Sequence, residues 1–495
     1  MTKHARSIQI LNVEGLPGTS DQSLTVRVEA LIRRAILSGN LARGVRLPSS
    51  RILAGDLHVS RHTVEHAFDQ LVSEGFVTRR RGSGTFVAVT LPERAQPPLG
   101  EKKEVAVNEH AAITLSKRGA AIAAMRGRRE ALFGTAFTPS VPAVEFFPRE
   151  IWSRFLSDAT RRAGIDYWSY GASNGLPELR NAIAAHIAGS RAVACTPDQI
   201  IVLTSAQQAV DLVARVLLDV GDVAWVEDPC YPLGVQILKA AGANVCPVPV
   251  DSDGFNVDDA LERNATARLA YVTPSHQYPS GELMSLPRRQ ALLAWAKRER
   301  AWIIEDDYDG DIRYVGRPLA SLQGLDDAGR VIYIGTFNKM MFSSLRLAFL
   351  VAPPLLVEPF MAAKHMMDGH APLHTQAAMA RFMDDGHLAT HLRRSVSEYD
   401  ERRRALLTAL KNLSDEFEVG PADAGLHITA YLRNTIDDRS VARECRRAGV
   451  VLDPLSRFYL GPSRSGFVLG FACSSPSRTE EAMRTVARAI RKVVR

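Results

Sequence analysis

Residues 333–352 read YIGTFNKMMFSSLRLAFLVA. A β-rich apolar run from Val331 to Gly335 leads into Thr336, Asn338 and Lys339, and Arg346 stands just before a second apolar run, Leu347 to Ala352. Taken alone, Lys339 is an ordinary lysine at a strand end as readily as a reactive amine. The rest of the chain has to decide.

Beyond this stretch, similar runs recur from about residue 145: IIVLT (200–204), VAWV (223–226), NVCPV (244–248), LAYVT (269–273) and AWIIED (301–306), then VIYIG (331–335) and LAFLVA (347–352). Uncharged strands alternating with helical patterns predict a mostly parallel α/β sheet covered on both faces. After about residue 385 the pattern turns to long charged helices and a few mixed strands. This predicts a smaller C-terminal α+β lobe ending in the basic helix RTEEAMRTVARAIRKVVR.

Several strand ends carry chemistry complementary to Lys339. AWIIEDDYDG runs into Glu305, Asp306, Asp307 and Tyr308, and its spacing offers Asp306 as a carboxylate for a ring nitrogen and Tyr308 as a nearby hydroxyl. LTSAQQAVDLVARVLL is a strand, a small-residue turn and a helix, so the amides of Ser205, Ala206 and Gln207 point at an anion site. Thr336 and Arg346 flank the lysine and complete such a cradle, and Tyr231 in VEDPCYPLG can stack on a ring. These are the parts of a pyridoxal 5'-phosphate site, in which a lysine forms a Schiff base.

The N-terminal region differs. LTVRVEALIRRAILS (24–38) places Val28, Leu31, Ile32, Ala35 and Ile36 on one helical face, Ser49 or Ser50 can cap a short helix from Arg51 to Asp56, and Ser60 can cap RHTVEHAFDQLVSEG. Val64, Ala67, Phe68 and Leu71 form the buried stripe of that last helix. Phe76–Thr78 and Thr85–Val87 flank RRRGSG as the two strands of a wing. The pattern predicts a winged helix-turn-helix over 20–90, with Ser60, Arg61, His62 and Thr63 at the start of the recognition helix. Residues 91–114, rich in Pro and charge, read as a linker, and 115–495 as the large domain.

Composition agrees with two or three globular domains: 495 residues, 46% of them hydrophobic, and a net charge of +7. Residues 1–90 hold 12 Lys and Arg against 7 Asp and Glu, a basic balance that suits a polyanion such as double-stranded DNA. No apolar run is long enough for a membrane span and the N-terminus has no secretory pattern, so a cytoplasmic protein is expected. The five cysteines are scattered without metal-ligand spacing, and reduced thiols rather than a metal site are expected.

RLPSSRILAGDLHVSRHTVEHAFDQLVSEGFVTRRRGSGTFV resembles the winged helix-turn-helix of the GntR family. The resemblance implies DNA contacts from Arg51, Arg61, Arg81 and Gly82, while Glu65 stands where some relatives have arginine. YGASNGLPELRNAIAAHI, TSAQQAVDL, EDPCYP, TPSHQYPSG, EDDYDG and GTFNK resemble fold-type I aminotransferases, and more closely the aminotransferase-like domain of the MocR subfamily of GntR regulators. In that family the lysine matching Lys339 carries the cofactor. Four departures stand out. Asn338 replaces a usual serine, Tyr278 stands where aminotransferases have asparagine, Val468 where they have the arginine that clamps a substrate carboxylate, and Leu233 where a GABA-responsive relative has arginine.

The resemblance implies a homodimeric transcription regulator that senses a small amine, an amino acid or the cofactor itself through the Schiff base at Lys339, with weak or no transaminase activity. The alternatives are a working aminotransferase carrying an autoregulatory DNA-binding domain, and a cofactor-free dimerisation scaffold.

Overall fold

A computed structural model describes residues 22–80, 82–90, 115–124, 135–162, 164–316, 320–434 and 436–494. The linker predicted over 91–114 and the wing residue Arg81 lie outside the described residues. The chain divides into two compact units, Met1–Thr114 and Leu115–Arg495.

In the first unit each of three helices, α1 (Leu24–Leu37), α2 (Ser50–Asp56) and α3 (Arg61–Ser73), begins after a serine. Ser23, Ser49 and Ser60 accept hydrogen bonds from the amides of Val26, Ile52 and Thr63, caps worth about 1 kcal/mol each. The stripes of α1 and α3 are buried and meet Leu53 of α2 in one core. Strands β1 (Val77–Arg80) and β2 (Gly84–Val87) pair antiparallel as the wing, and Val77 and Val87 complete that core.

The second unit is built on eight strands: β3 (Ile200–Leu203), β4 (Val223–Asp228), β5 (Asn244–Asp251), β6 (Gly254–Phe255), β7 (Leu269–Val272), β8 (Trp302–Asp307), β9 (Val331–Thr336) and β10 (Ala348–Val351). They lie in the order β3-β10-β9-β8-β7-β4-β5-β6. Strands β9, β8, β7, β4 and β5 run parallel. Side-chain alternation puts Val226 and Ile304 against α4 (Ala206–Leu217) and α5 (Pro232–Ala241), and Trp225 and Ile303 against α6 (Leu286–Glu299). Strand β10 departs from the parallel run: it is antiparallel to both β9 and β3. The segment 337–347 before it is too short for a crossover, which takes roughly a dozen residues or more, so the chain turns straight back. Lys339 sits in that turn.

The smaller lobe is a four-stranded antiparallel sheet of β11 (Phe417–Val419), β12 (His427–Leu432), β13 (Asp453–Pro454) and β14 (Gly466–Gly470), ordered β11-β12-β14-β13. Helices α7 (His387–Lys411) and α8 (Pro476–Val494) supply Leu406, Leu410, Met483, Val486 and Ile490 to its core. A segment far away in sequence joins it: Phe137 bridges to Gly470 and is fully buried in the same core. A Cβ on Gly470 would lie 2.0 Å from the Thr138 carbonyl oxygen, so only glycine admits this close approach. No described helix is long and apolar enough to cross a membrane.

Candidate functional site

A cavity of about 360 Å³ lies at the C-terminal ends of β4, β7, β8 and β9. Lys339, Ser205, Ala206, Gln207, Tyr231, Asp306, Tyr308, Thr336, Asn338 and Arg346 all line it. The β9–β10 turn delivers three of these, Asn338, Lys339 and Arg346, and the end of β9 delivers Thr336. Asn338 braces the turn, its amide donating to Thr336 Oγ1 at 3.2 Å and its Oδ1 accepting from the Leu347 amide at 3.2 Å. Arg346 enters β10 from a left-handed backbone position, φ 52°, a conformation that costs a non-glycine residue and recurs at functional sites. The Lys339 amine donates to the Ser140 carbonyl at 2.9 Å. Burial, with the Arg346 charge in support and Asp309 and Asp306 opposing, pushes its pKa down to about 8.

The acidic strand end resolves by alternation. Glu305 and Asp307 share one face of β8 and Asp306 takes the other. Glu305 accepts from the amides of Leu322 and Gln323 at 2.8 and 2.9 Å, and Asp307 pairs with the buried Arg191 at 2.7 Å and accepts from the Tyr333 hydroxyl at 2.6 Å. Only Asp306 of the three lines the cavity. Its Oδ2 accepts from the Tyr271 hydroxyl at 2.7 Å, and its buried Oδ1 has no hydrogen-bond partner among the described residues. Burial, with the Asp307 and Asp309 charges in support and the Tyr271 hydrogen bond and Lys339 opposing, raises this carboxyl to about 6.

The strand, small turn and helix predicted around Ser205 form as expected. Ser205 caps α4 by accepting from the Gln208 amide at 3.1 Å, and Gln208 reaches back to the Thr204 amide at 2.9 Å. The amides of Ala206 and Gln207 lie in the first helical turn, where N–H groups have no partner within the helix. Gln207 also donates to the Tyr231 hydroxyl at 3.1 Å. Tyr231 packs edge-on against Tyr278, which also packs against Tyr308, His427 and Phe458.

The small lobe contributes residues that sequence reasoning missed. Val468 is fully buried among Tyr431, Leu455 and Phe458 and does not line the cavity; Asp453, its register partner across β13–β14, does. So does Arg457, paired with Asp453 at 3.1 Å. Their signal was two lone charges four residues apart in the otherwise apolar VLDPLSRFYL. Ser140, Gln236 and Leu233 also line the cavity.

In the first unit, Arg51, Arg61 and His62 are exposed and Thr63 is half-buried. Ser60 Oγ and Thr63 Oγ1 are 2.8 Å apart, and Arg61 Nε donates to Ser50 Oγ at 3.3 Å. His62 stacks on His66. Gly82 takes φ 75° in the wing turn with open space around it. The predicted basic run is partly neutralised: Arg79 pairs with Glu65 at 2.8 Å and Asp69 at 2.7 Å, both on α3. Arg80 lies over the Phe86 ring. Glu65 therefore ties the recognition helix to the wing.

The donor set of the cavity fits pyridoxal 5'-phosphate. A half-buried lysine stands ready for its aldehyde, an unsatisfied carboxylate oxygen for its ring nitrogen, and a helix N-terminus with a nearby arginine for its phosphate.

Residues 149–487 match the aminotransferase class I and II family, and residues 24–87 match the bacterial regulatory proteins of the gntR family. The chain is 39% identical over 457 residues to the probable rhizopine catabolism regulatory protein MocR of Rhizobium meliloti, covering 92% of this chain and 91% of that protein. It is 32% identical over 465 residues to the HTH-type pyridoxine biosynthesis transcriptional regulator PdxR of Corynebacterium glutamicum, covering 94% of each. Among solved structures, α-aminoadipate aminotransferase LysN of Thermus thermophilus, complexed with N-(5'-phosphopyridoxyl)-L-leucine, superposes with a TM-score of 0.70 at 27% identity, covering 76% of this chain and 97% of that one. The chain thus belongs to the GntR-type transcriptional regulators of the MocR subfamily, in which a winged helix-turn-helix is continued by an aminotransferase class I and II domain.

Proposed function

We propose that this regulator binds an operator in double-stranded DNA through its winged unit, holds pyridoxal 5'-phosphate at Lys339, and senses a small amine, an amino acid or the cofactor itself at that pocket. When bound, the cofactor supplies an aldehyde that captures primary amines and a ring whose absorbance reports the capture. Lys339 presents the amine that takes the aldehyde, with the Ser140 carbonyl orienting it. Asp306 offers its free oxygen to the ring nitrogen, and Tyr308 offers its hydroxyl to the phenolic oxygen. The amides of Ala206 and Gln207, with Ser205, Thr336 and Arg346, receive the phosphate, and Tyr231 covers the ring.

One observation carries this reading: a lysine whose buried amine is pushed down to about 8 shares a cavity with a buried carboxylate that lacks one partner. Sensing is favoured over turnover because Val468 is sealed in the small-lobe core, which removes the usual bidentate clamp for an α-carboxylate. On the DNA side, Ser60 at the start of α3 and Arg61, His62 and Thr63 on it are offered to the groove, and Arg51 and Gly82 to the backbone, with Arg81, outside the described residues, as a further candidate contact.

A homodimer is part of the proposal. Tyr170 and Trp168 are 95% and 65% exposed and pack by their rings on His370 and His374, an apolar surface suited to a second copy of this chain. The five cysteines are unpaired, which suits the cytoplasm.

The test is the visible spectrum of the purified full chain after incubation with pyridoxal phosphate, repeated on Lys339→Ala and with a panel of amines. A visible band in the wild type that is absent from Lys339→Ala, changes lastingly with an amine and alters DNA affinity supports the sensor. No band in the wild type overturns the cofactor role. Rapid release of an oxo-acid assigns the pocket to transamination instead.

A further inference from the structure

Three buried groups stand together beside the cofactor pocket: His276, Asp309 and His427 bring nitrogen and oxygen atoms within 4.8 Å of one another. His276 Nδ1 lies 2.9 Å from Asp309 Oδ2 and also 2.9 Å from the Tyr308 hydroxyl. An ionised carboxylate can only accept, so the proton of His276 sits on Nδ1. The opposite nitrogen gives the same answer. His276 Nε2 is buried and has no hydrogen-bond partner among the described residues, and an N–H there would be an orphaned donor, costlier than an unused lone pair. The neighbouring His427 donates from Nε2 to the Pro279 carbonyl at 3.0 Å, and burial pushes it down to about 3, so it offers His276 no proton.

A single N–H on Nδ1 is thus shared between Asp309 and the Tyr308 oxygen. Tyr308 accepts from His276, and its own hydroxyl proton is left to point elsewhere. Burial holds this phenol well above its usual value, so the proton stays. The other ionisable groups around it are Tyr278, Asp306 and Glu227, with Lys339 across the cavity.

We infer that Asp309 and His276 are positioning residues that hold Tyr308 as a hydrogen-bond donor toward the phenolic oxygen of pyridoxal phosphate. The inference rests on the cofactor reading of the pocket. Asp309 touches no cofactor in this scheme and acts through the imidazole tautomer. An asparagine at this position can present its N–H to Nδ1 and reverse the tautomer, as replacing the aspartate of a Ser-His-Asp triad does.

The experiment compares binding of pyridoxal phosphate with binding of its 3-deoxy analogue, which lacks the phenolic oxygen, to the full chain. The wild type should prefer the phenol-bearing cofactor by about tenfold or more, the size expected for a hydrogen bond to a charged acceptor. Tyr308→Phe and Asp309→Asn should each erase most of that preference, and the double variant should lose no more than Tyr308→Phe alone. The pH midpoint of the visible band should move in the same direction in both single variants. An Asp309→Asn chain that keeps the full preference, or a double variant whose losses add, overturns the inference. A wild type that binds both compounds equally, with its visible band intact, overturns it while leaving the cofactor role standing. A wild type with no visible band fails both.

Discussion

At Lys339, burial decides the pH behaviour. A lysine pushed down to about 8 is one whose charged form the folded protein disfavours. That penalty is present wherever Lys339 is protonated, below about 8, and fades as pH rises toward the ordinary lysine value of about 10.4, so this group makes stability rise with pH across the window. The same shift frees the amine earlier. Capture of pyridoxal phosphate by the cofactor-free chain, followed by growth of the visible band, should accelerate from neutrality to about 8 and then level off. A rate still climbing near pH 10 would mean the amine is not perturbed. The three acids of β8 give a second contrast. Asp306→Asn should weaken cofactor binding about tenfold or more in equilibrium dialysis, since a charge-assisted bond to the ring nitrogen is lost. Glu305→Gln should leave that affinity nearly unchanged and lower the unfolding midpoint, because Glu305 is fully buried and its oxygens hold two backbone amides. The sequence singled out Asp306 of the three acids for the ring nitrogen, and strand alternation leaves it alone on the cavity side; the roles of Glu305, held by the Leu322 and Gln323 amides, and of Asp307, held by Arg191 and Tyr333, were not legible in it.

At the scale of elements, local signals were readable and long-range ones were not. The stripes of α1 and α3, the Ser60 cap of α3, and the seven apolar runs of the large sheet follow from spacing within a few residues, and they form where the sequence places them. The reversal of β10, the entry of Phe137 into the small-lobe core and the pairing of Arg457 with Asp453 beneath a buried Val468 depend on packing that no periodicity records. Gly335 shows how tightly the Lys339 turn is set by such packing. It lies opposite Phe349 across β9–β10, and a Cβ there would fall 2.3 Å from the Phe349 ring. Gly335→Ala should cost about 1–3 kcal/mol, measured by denaturant unfolding, and should weaken cofactor retention by shifting the turn that carries Lys339. On the wing, Arg79 is held by two acids of α3. Arg79→Ala should change stability by less than about 1 kcal/mol yet weaken DNA binding, because Glu65 and Asp69 would then face phosphates without a counter-charge. Filter-binding or anisotropy at fixed salt reads the difference, and unchanged affinity would remove Arg79 from the interface argument.

Over the whole molecule, each unit has its own core. The winged unit closes on Val28, Leu31, Phe68, Val77 and their neighbours, while the large unit closes on clusters drawn only from residues beyond 135. Separate cores imply separate unfolding transitions, the smaller unit being the more marginal because it buries a smaller share of its surface. Ligands that bind only the native state raise the transition of the unit that binds them, by about 2.7 kcal/mol at a hundredfold excess over Kd. Pyridoxal phosphate should therefore shift the large unit's transition in calorimetry, and a DNA fragment bound by the full chain should shift the winged unit's. Lys339→Ala should abolish most of the first shift and keep the second. The DNA shift should shrink steeply with added salt, since 12 Lys and Arg against 7 Asp and Glu are gathered in the first 90 residues and phosphate contacts release counterions. A cofactor shift that survives Lys339→Ala undiminished would place the cofactor elsewhere in the large unit, and a DNA shift indifferent to salt would mean that the basic face of the winged unit is not the surface that meets the phosphates.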